Sequence, residues 1–198
     1  MYAIRDLPSV CEFVHFPIQA GSSRILKKMH RIYTKEEYLE KVDLLRQTVP
    51  NVSLGTDIIV GFPTETEEEF QETYDIFKQI AYSVAFIFSY SPRKGTPAFR
   101  WMDDIPEEVK QERLQRLLAL HAEIAGAERQ NMLGQEVEVL VDKMGEEGRL
   151  KARTRCWKNV VFQGDESMIG TVQTIKLHSF SNQTLIGEQK APSKLLIQ

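Results

Sequence analysis

The sequence predicts a mixed α/β chain, part of a (β/α) barrel or parallel sheet, followed by a small all-β barrel. Two patterns predict it. Up to Gly134, strand, loop and helix signals recur in series, as parallel strands joined by helical crossovers require. Beyond Gly134, apolar residues alternate with period two in about five short runs separated by turns, the grammar of a small barrel. A boundary near Gly134 divides residues 1–133 from residues 134–198.

The first unit opens with EFVHFPI over 12–18, read as a strand that ends in the loop Pro17 to Ser22. Ser22 caps a short helix, SSRILKKM, and a second helix spans Thr34 to Thr48. Thr34 with Glu37 makes a capping box, in which hydroxyl and carboxylate satisfy each other's backbone N–H groups. The run over 52–60, with Leu54, Ile58, Ile59 and Val60, is nearly continuous in apolar residues and reads as a strand buried on both faces. Gly61 and Pro63 end it, and Thr66 with Glu69 makes a second capping box for a helix over 66–80. Val84 to Tyr90 is the third strand, leading into the turn-rich Ser91 to Pro97. Pro106 suits a helix's first turn, and Leu114, Leu117, Leu118, His121 and Ile124 carry that helix to about residue 132. Strand-like pieces then follow at 135–142, 149–155, 160–163, 171–177 and 184–188.

Composition is that of an ordinary globular chain, with a net charge of −3. No apolar run reaches the roughly 18 residues of a membrane span, and MYAIRDLPSVCEF has no apolar signal core, so a cytoplasmic protein without membrane contact is expected. The two cysteines, Cys11 and Cys156, have neither metal-ligand nor disulfide spacing.

Two places can carry chemistry. The loop after the 52–60 strand faces a helix N-terminus beyond a strand's carboxyl end, where α/β folds bind ligands. Taken alone, it suits a plain strand–helix connection equally well. In the second unit, Arg149, Lys151, Arg153 and Arg155 alternate with Leu150, Ala152 and Thr154, which on a strand puts four cations on one face. Trp157 and Lys158 follow, and cations beside an aromatic suit a phosphate backbone and a stacked base. A solvated strand face is the competing reading. His15 near a strand end and His121 on an apolar helix face read as structural; Asp57 and Glu65 divide between ligand contact and local hydrogen bonding. No nucleophile–base pair stands out, which points to cofactor chemistry.

Four strings together resemble one family. They are His15-Phe16-Pro17-Ile18-Gln19-Ala20-Gly21-Ser22, the stretch Asp57 to Thr66, the stretch Tyr90 to Ala98, and a tail running from Arg153-Thr154-Arg155 through Asn159 to Gly164, Ile169-Gly170 and Leu185 to Glu188. The first three resemble the MiaB-type radical S-adenosylmethionine (radical SAM) methylthiotransferases, and the tail resembles the TRAM domain, a small RNA-binding barrel. The resemblance implies half of a TIM-like radical SAM barrel followed by TRAM. It implies methylthiolation at C2 of an isopentenylated adenosine beside the anticodon of tRNA. S-adenosyl-L-methionine would contact Gln19 and Ser22, with Gly61, Phe62, Pro63 and Glu65 on its adenine side, and Gly61 would reach the purine edge because it has no Cβ. Arg149, Lys151, Arg153, Arg155, Trp157 and Lys158 would hold tRNA. Thr64 stands where the family usually has Gly, and Ala20 where it has Ser.

One departure is large. The family binds 4Fe-4S clusters through cysteine motifs, and those cysteines are absent from this chain. The resemblance therefore implies a partner, the missing amino-terminal portion of the enzyme, and a half-barrel prone to aggregation alone. Two alternatives stay open: a cluster-less RNA-binding fragment without catalysis, and a sister enzyme acting on threonylcarbamoyl-adenosine tRNA or a ribosomal protein.

Overall fold

A computed structural model describes residues 1–189. By its internal contacts the chain forms two compact units, dividing between Ala127 and Glu128.

The first unit contains three parallel strands, β1 (Phe13–His15), β2 (Ser53–Val60) and β3 (Val84–Ser89), in the order β1-β2-β3. Its helices are α1 (Tyr2–Asp6), α2 (Ser23–Lys28), α3 (Lys35–Thr48), α4 (Glu67–Ile80) and the part of α5 (Glu107–Met132) up to Ala127. Helix α1 has no counterpart among the expected elements; it buries none of its residues, so it leaves no apolar stripe to detect. Both capping boxes form as the sequence predicts, at Thr34 with Glu37 and at Thr66 with Glu69. Strand β1 is shorter than the expected 12–18 span because Pro17 has no N–H to donate to a ladder. Pairing resumes past it: the Gln19 N–H donates to the Asp57 carbonyl at 2.9 Å, and the Ile59 N–H donates to the Gln19 carbonyl at 2.9 Å.

Alternation along the strands sends two sets of side chains to opposite faces. Leu54, Ile58 and Val60 of β2 meet Tyr38, Val42 and Leu45 of α3, Phe70 and Phe77 of α4, and Leu117 of α5 in one buried core. Within it the Tyr38 and Tyr82 hydroxyls lie 3.0 Å apart, and that of Tyr38 donates to the Phe16 carbonyl at 2.6 Å. Burial pushes both phenols above their ordinary pKa. His121 packs edge-on against Phe77 in the same core.

The opposite face is covered only in part: Ile59 packs against a cluster of Ala20, Ile25, Leu26, Phe62 and Tyr90. Phe86 and Phe88 are 52% and 53% exposed there, and Asp57 and Ile59 are only half-buried. The expectation that β2 is buried on both faces is thus corrected. Its apolar run serves the helical side, while the other side holds Gly55, Asp57 and Ile59.

The second unit is a closed five-stranded barrel in the order β4-β5-β6-β8-β7. The strands are β4 (Glu136–Met144), β5 (Arg149–Thr154), β6 (Asn159–Gln163), β7 (Val172–Ser181) and β8 (Thr184–Gln189). Val139, Val141, Leu150, Ala152, Val160, Phe162, Ile175, Leu177 and Leu185 fill it, as period-two alternation requires. Met132 and Leu133, at the end of α5, pack against this core. The Gly134 N–H then donates to the Leu177 carbonyl at 2.8 Å. Among the described residues no helix is long and apolar enough to cross a membrane.

The part of the sheet face left bare predicts self-association. Sedimentation velocity across a concentration series should show reversible oligomers that Phe86→Thr with Phe88→Thr abolishes, with the melting temperature held within a few degrees.

Candidate functional site

The first candidate site lies at the carboxyl ends of β1 and β2. Gly61 follows β2 with φ of +69°, a conformation that suits glycine. A Cβ there would sit 2.4 Å from Cγ of Lys110, so α5 occupies the space that the missing side chain leaves. The Gly61 N–H donates to Oε2 of Glu65 at 2.7 Å. Of the Gly61 backbone groups expected to reach a purine edge, the N–H is thus engaged by Glu65, and Lys110 lies over the Cα.

Glu65 is 3% exposed and is positioned from two sides. Besides the Gly61 N–H, its Oε2 accepts from Nη1 of Arg113 at 2.7 Å, and Arg113 is itself 4% exposed. Burial pushes the Glu65 carboxyl up from its ordinary pKa, opposed by the Gly61 N–H and the Arg113 charge. Beside this pair, Lys110 Nζ reaches Asp103 at 2.6 Å and lies over the Tyr90 ring. Phe62 is buried edge-on between Tyr90 and Trp101, and Pro63 is buried next to it.

Ser22 is likewise committed. Its hydroxyl accepts from the Ile25 N–H as the α2 cap and donates to Oε1 of Glu69 at 2.9 Å. Glu69 also takes two bonds from Arg24, at 2.6 and 2.5 Å, and one from the Thr66 N–H. Burial raises the Glu69 carboxyl, but these donors outweigh it and hold its pKa at about 2. Arg24 also donates to the Thr64 carbonyl at 2.6 Å and to its hydroxyl at 3.1 Å. Thr64 has φ of +71°, strained for a β-branched residue, and its N–H is held by Asp104. Gln19 differs from its neighbours: 7% exposed, its carboxamide makes no hydrogen bond among the described residues.

The second candidate site is the outer face of the barrel. Arg149, Lys151 and Arg153 alternate with buried Leu150, Ala152 and Thr154, as the sequence predicts. Arg155 does not join that face, because β5 ends at Thr154 and Arg155 lies in the turn that follows. Buried Thr154 closes the turn, accepting the Trp157 and Lys158 N–H groups at its carbonyl and hydroxyl. Arg149 is paired with Glu147. Lys158 is 6% exposed and its Nζ meets Oε2 of Glu128 at 2.5 Å, so its charge is spent inside the unit. Trp157, with φ of +69°, is 47% exposed and lies with its ring 4.0 Å from the Arg153 guanidinium. Sequence reasoning missed Asn159 and Lys143, which line a groove of about 290 Å³ with Lys151 and Arg153; cross-strand register was the signal needed to find them.

The residues do not fit an iron–sulfur cluster. Cys11 is exposed, and the Cys156 sulfur lies 3.1 Å from the Thr154 hydroxyl in the second unit. Among the described residues no three His, Cys, Asp or Glu side chains gather to hold a metal. His15 Nε2 meets Asp57 Oδ1 at 3.2 Å on the bare part of the sheet face, a pair rather than a cluster.

The Glu69 network sets an acid limit. Its folded pKa lies below the ordinary 4.5, so the unfolded chain takes up the proton first as pH falls. Its stabilisation is complete above about pH 4.5 and drains away toward about pH 2. Urea titrations across that window should show the loss, and Glu69→Gln should flatten it and cost about 2 kcal/mol at neutral pH. Thr64→Gly should stabilise by about 1 kcal/mol by removing left-handed strain; a lower melting temperature would show that the Arg24 bond to the Thr64 hydroxyl outweighs the strain.

Comparison with known proteins gives these sites a context. Residues 2–77 match the Radical SAM superfamily, and residues 130–190 match the TRAM domain. A curated protein of Protochlamydia amoebophila, named tRNA-2-methylthio-N(6)-dimethylallyladenosine synthase, is 66% identical over 95% of this chain and 42% of its own length. Proteins of the same name from Thermoanaerobacter pseudethanolicus and Moorella thermoacetica are each 46% identical, over 95% and 93% of this chain and 40% and 42% of their own lengths. The chain thus spans about two-fifths of the length of these relatives. Radical SAM proteins use S-adenosylmethionine and an iron–sulfur cluster. A segment matching the Radical SAM superfamily thus leads into one matching the TRAM domain, in a chain similar over nearly its whole length to proteins named for tRNA methylthiolation.

Proposed function

We propose that this chain contributes the nucleic-acid grip and part of the cofactor-facing loops to an enzyme that methylthiolates C2 of N6-dimethylallyladenosine in tRNA. One observation carries the reading: a TRAM-matched barrel presents Lys151 and Arg153 outward beside Trp157, in a chain closely similar to proteins named for that reaction. S-adenosylmethionine would supply the methyl group. Gln19 is the residue here with an uncommitted donor and acceptor to hold it, and Phe62 and Pro63 shape the adjoining wall. Ser22, Gly61 and Glu65 act behind them as positioning residues, their polar groups bonded to Glu69, Glu65 and Arg113.

The cluster thiolates would come from polypeptide beyond this chain, in keeping with its two cysteines. The same count favours a second reading, in which the chain on its own is a cluster-less RNA-binding module.

On the barrel, Lys151 and Arg153 are assigned to phosphates, Arg149 to the edge of that row, and Arg155 to the turn beside it. Lys158 is reassigned to the internal pair with Glu128. Binding of tRNA by the whole chain, measured against salt, tests this. Lys151→Ala with Arg153→Ala should lower the slope of log K against log salt by about two units, near one for each phosphate no longer neutralised. Lys158→Ala should lower the melting temperature and leave the slope unchanged. An unchanged slope in the double variant would remove the barrel face from the tRNA interface.

A further inference from the structure

The register of β4 against β5 carries information that composition does not. From Leu140 with Arg153 to Val141 with Ala152 the ladder is regular; the next pair is Lys143 with Lys151. A β-bulge therefore adds one residue between Val141 and Lys143, and that residue is Asp142. In an unbroken ladder Asp142 would stand opposite Lys151 as an opposite-charge pair. The bulge instead sets two lysines across from each other, an arrangement that destabilises a sheet by itself. Among the described residues neither lysine has an ion pair, although the Asp142 side chain lines the same groove. Gly145 lets the Lys151 stem lie close, since a Cβ there would meet its Cγ and Cε at 3.0 Å.

Two further features converge on the groove. Trp157 is a bulky residue held at positive φ, a strained state that its tight turn maintains. The strain keeps an exposed indole against Arg153, two residues along the strand from Lys151 and so about 7 Å away. Directly across from Arg153 stands Asn159, an exposed carboxamide at the groove wall, with Thr184 beside it on β8. Cations stand at one end, and an aromatic face with an amide near it at the other, about the length of one nucleotide apart.

We propose that this groove is a subsite for one unpaired nucleotide, its phosphate held between Lys143 and Lys151 and its base laid against Trp157 with Asn159 at its edge. The inference rests on the RNA-binding reading of the barrel and adds to it. The grip recognises single-stranded RNA through a base, not through backbone charge alone. A stacking platform accepts any base, so selectivity for the unpaired state comes from the need for an open π-face.

The test uses the whole chain and two probes, a single-stranded RNA oligonucleotide and inorganic polyphosphate of similar charge. Trp157→Ala should weaken RNA binding about tenfold and leave polyphosphate binding unchanged, while Trp157→Phe restores RNA affinity. Trp157→Gly suits the positive φ and removes the ring without disturbing the turn, so it should reproduce the Ala result. Lys143→Gln should lower the salt slope by about one unit for both probes. RNA binding that stays salt-dependent but ignores loss of the Trp157 ring would overturn the subsite and leave the RNA grip standing. Failure of the unaltered chain to bind RNA would overturn both.

Discussion

The Glu65 carboxylate is the constraint on which the first unit's loop depends. It sits nine-tenths buried or more, accepts the Gly61 N–H at the end of β2 and takes the Arg113 guanidinium from α5. A charge so placed is costly unless every lone pair has a donor, and removing one partner leaves the other stranded. The loop therefore has one low-energy path: Gly61 must turn left-handed, Lys110 must lie over it, and Phe62 must enter the cluster with Tyr90 and Trp101. The neighbouring carboxylate, Glu69, does the same for α2 and α4 through Ser22 and Arg24. These acids fix the loops around Gln19, whose buried carboxamide makes no hydrogen bond among the described residues.

The barrel is stabilised differently. Closure removes free strand edges, and among the described residues nine buried apolar side chains interdigitate in the interior. Its outer face is then free to carry unfavourable charge arrangements, because the core holds the strands in register whatever the surface does. Lys158 marks the limit of that freedom. Its side chain is buried, and Glu128 must neutralise it.

Much of the fold is legible in the sequence because its signals are local. The capping boxes at Thr34 and Thr66, the stop at Gly134 and the alternation of Arg149 to Thr154 each depend on neighbours a few residues away, and each is present in the structure. What is not legible depends on residues distant in sequence. Lys110 over Gly61 and Arg113 on Glu65 join residues more than 40 positions apart, so a glycine that reads as open is covered. Lys158 reads as one more cation in a run until the fold brings Glu128 to it, 30 positions away. Arg155 is misplaced by the sequence pattern because alternation cannot show where a strand ends; Thr154 ends it by turning its own hydroxyl onto the Lys158 N–H.

The bulge at Asp142 has a genetic consequence. Loss of the Asp142 codon would close the ladder and keep Lys143 opposite Lys151; loss of the adjacent Lys143 codon would close it equally well and leave Asp142 there instead. The two deletions yield the same backbone and opposite electrostatics. In this barrel, a lineage could extinguish or retain the facing lysines by which of two neighbouring codons it drops, with no change to the core and no other substitution.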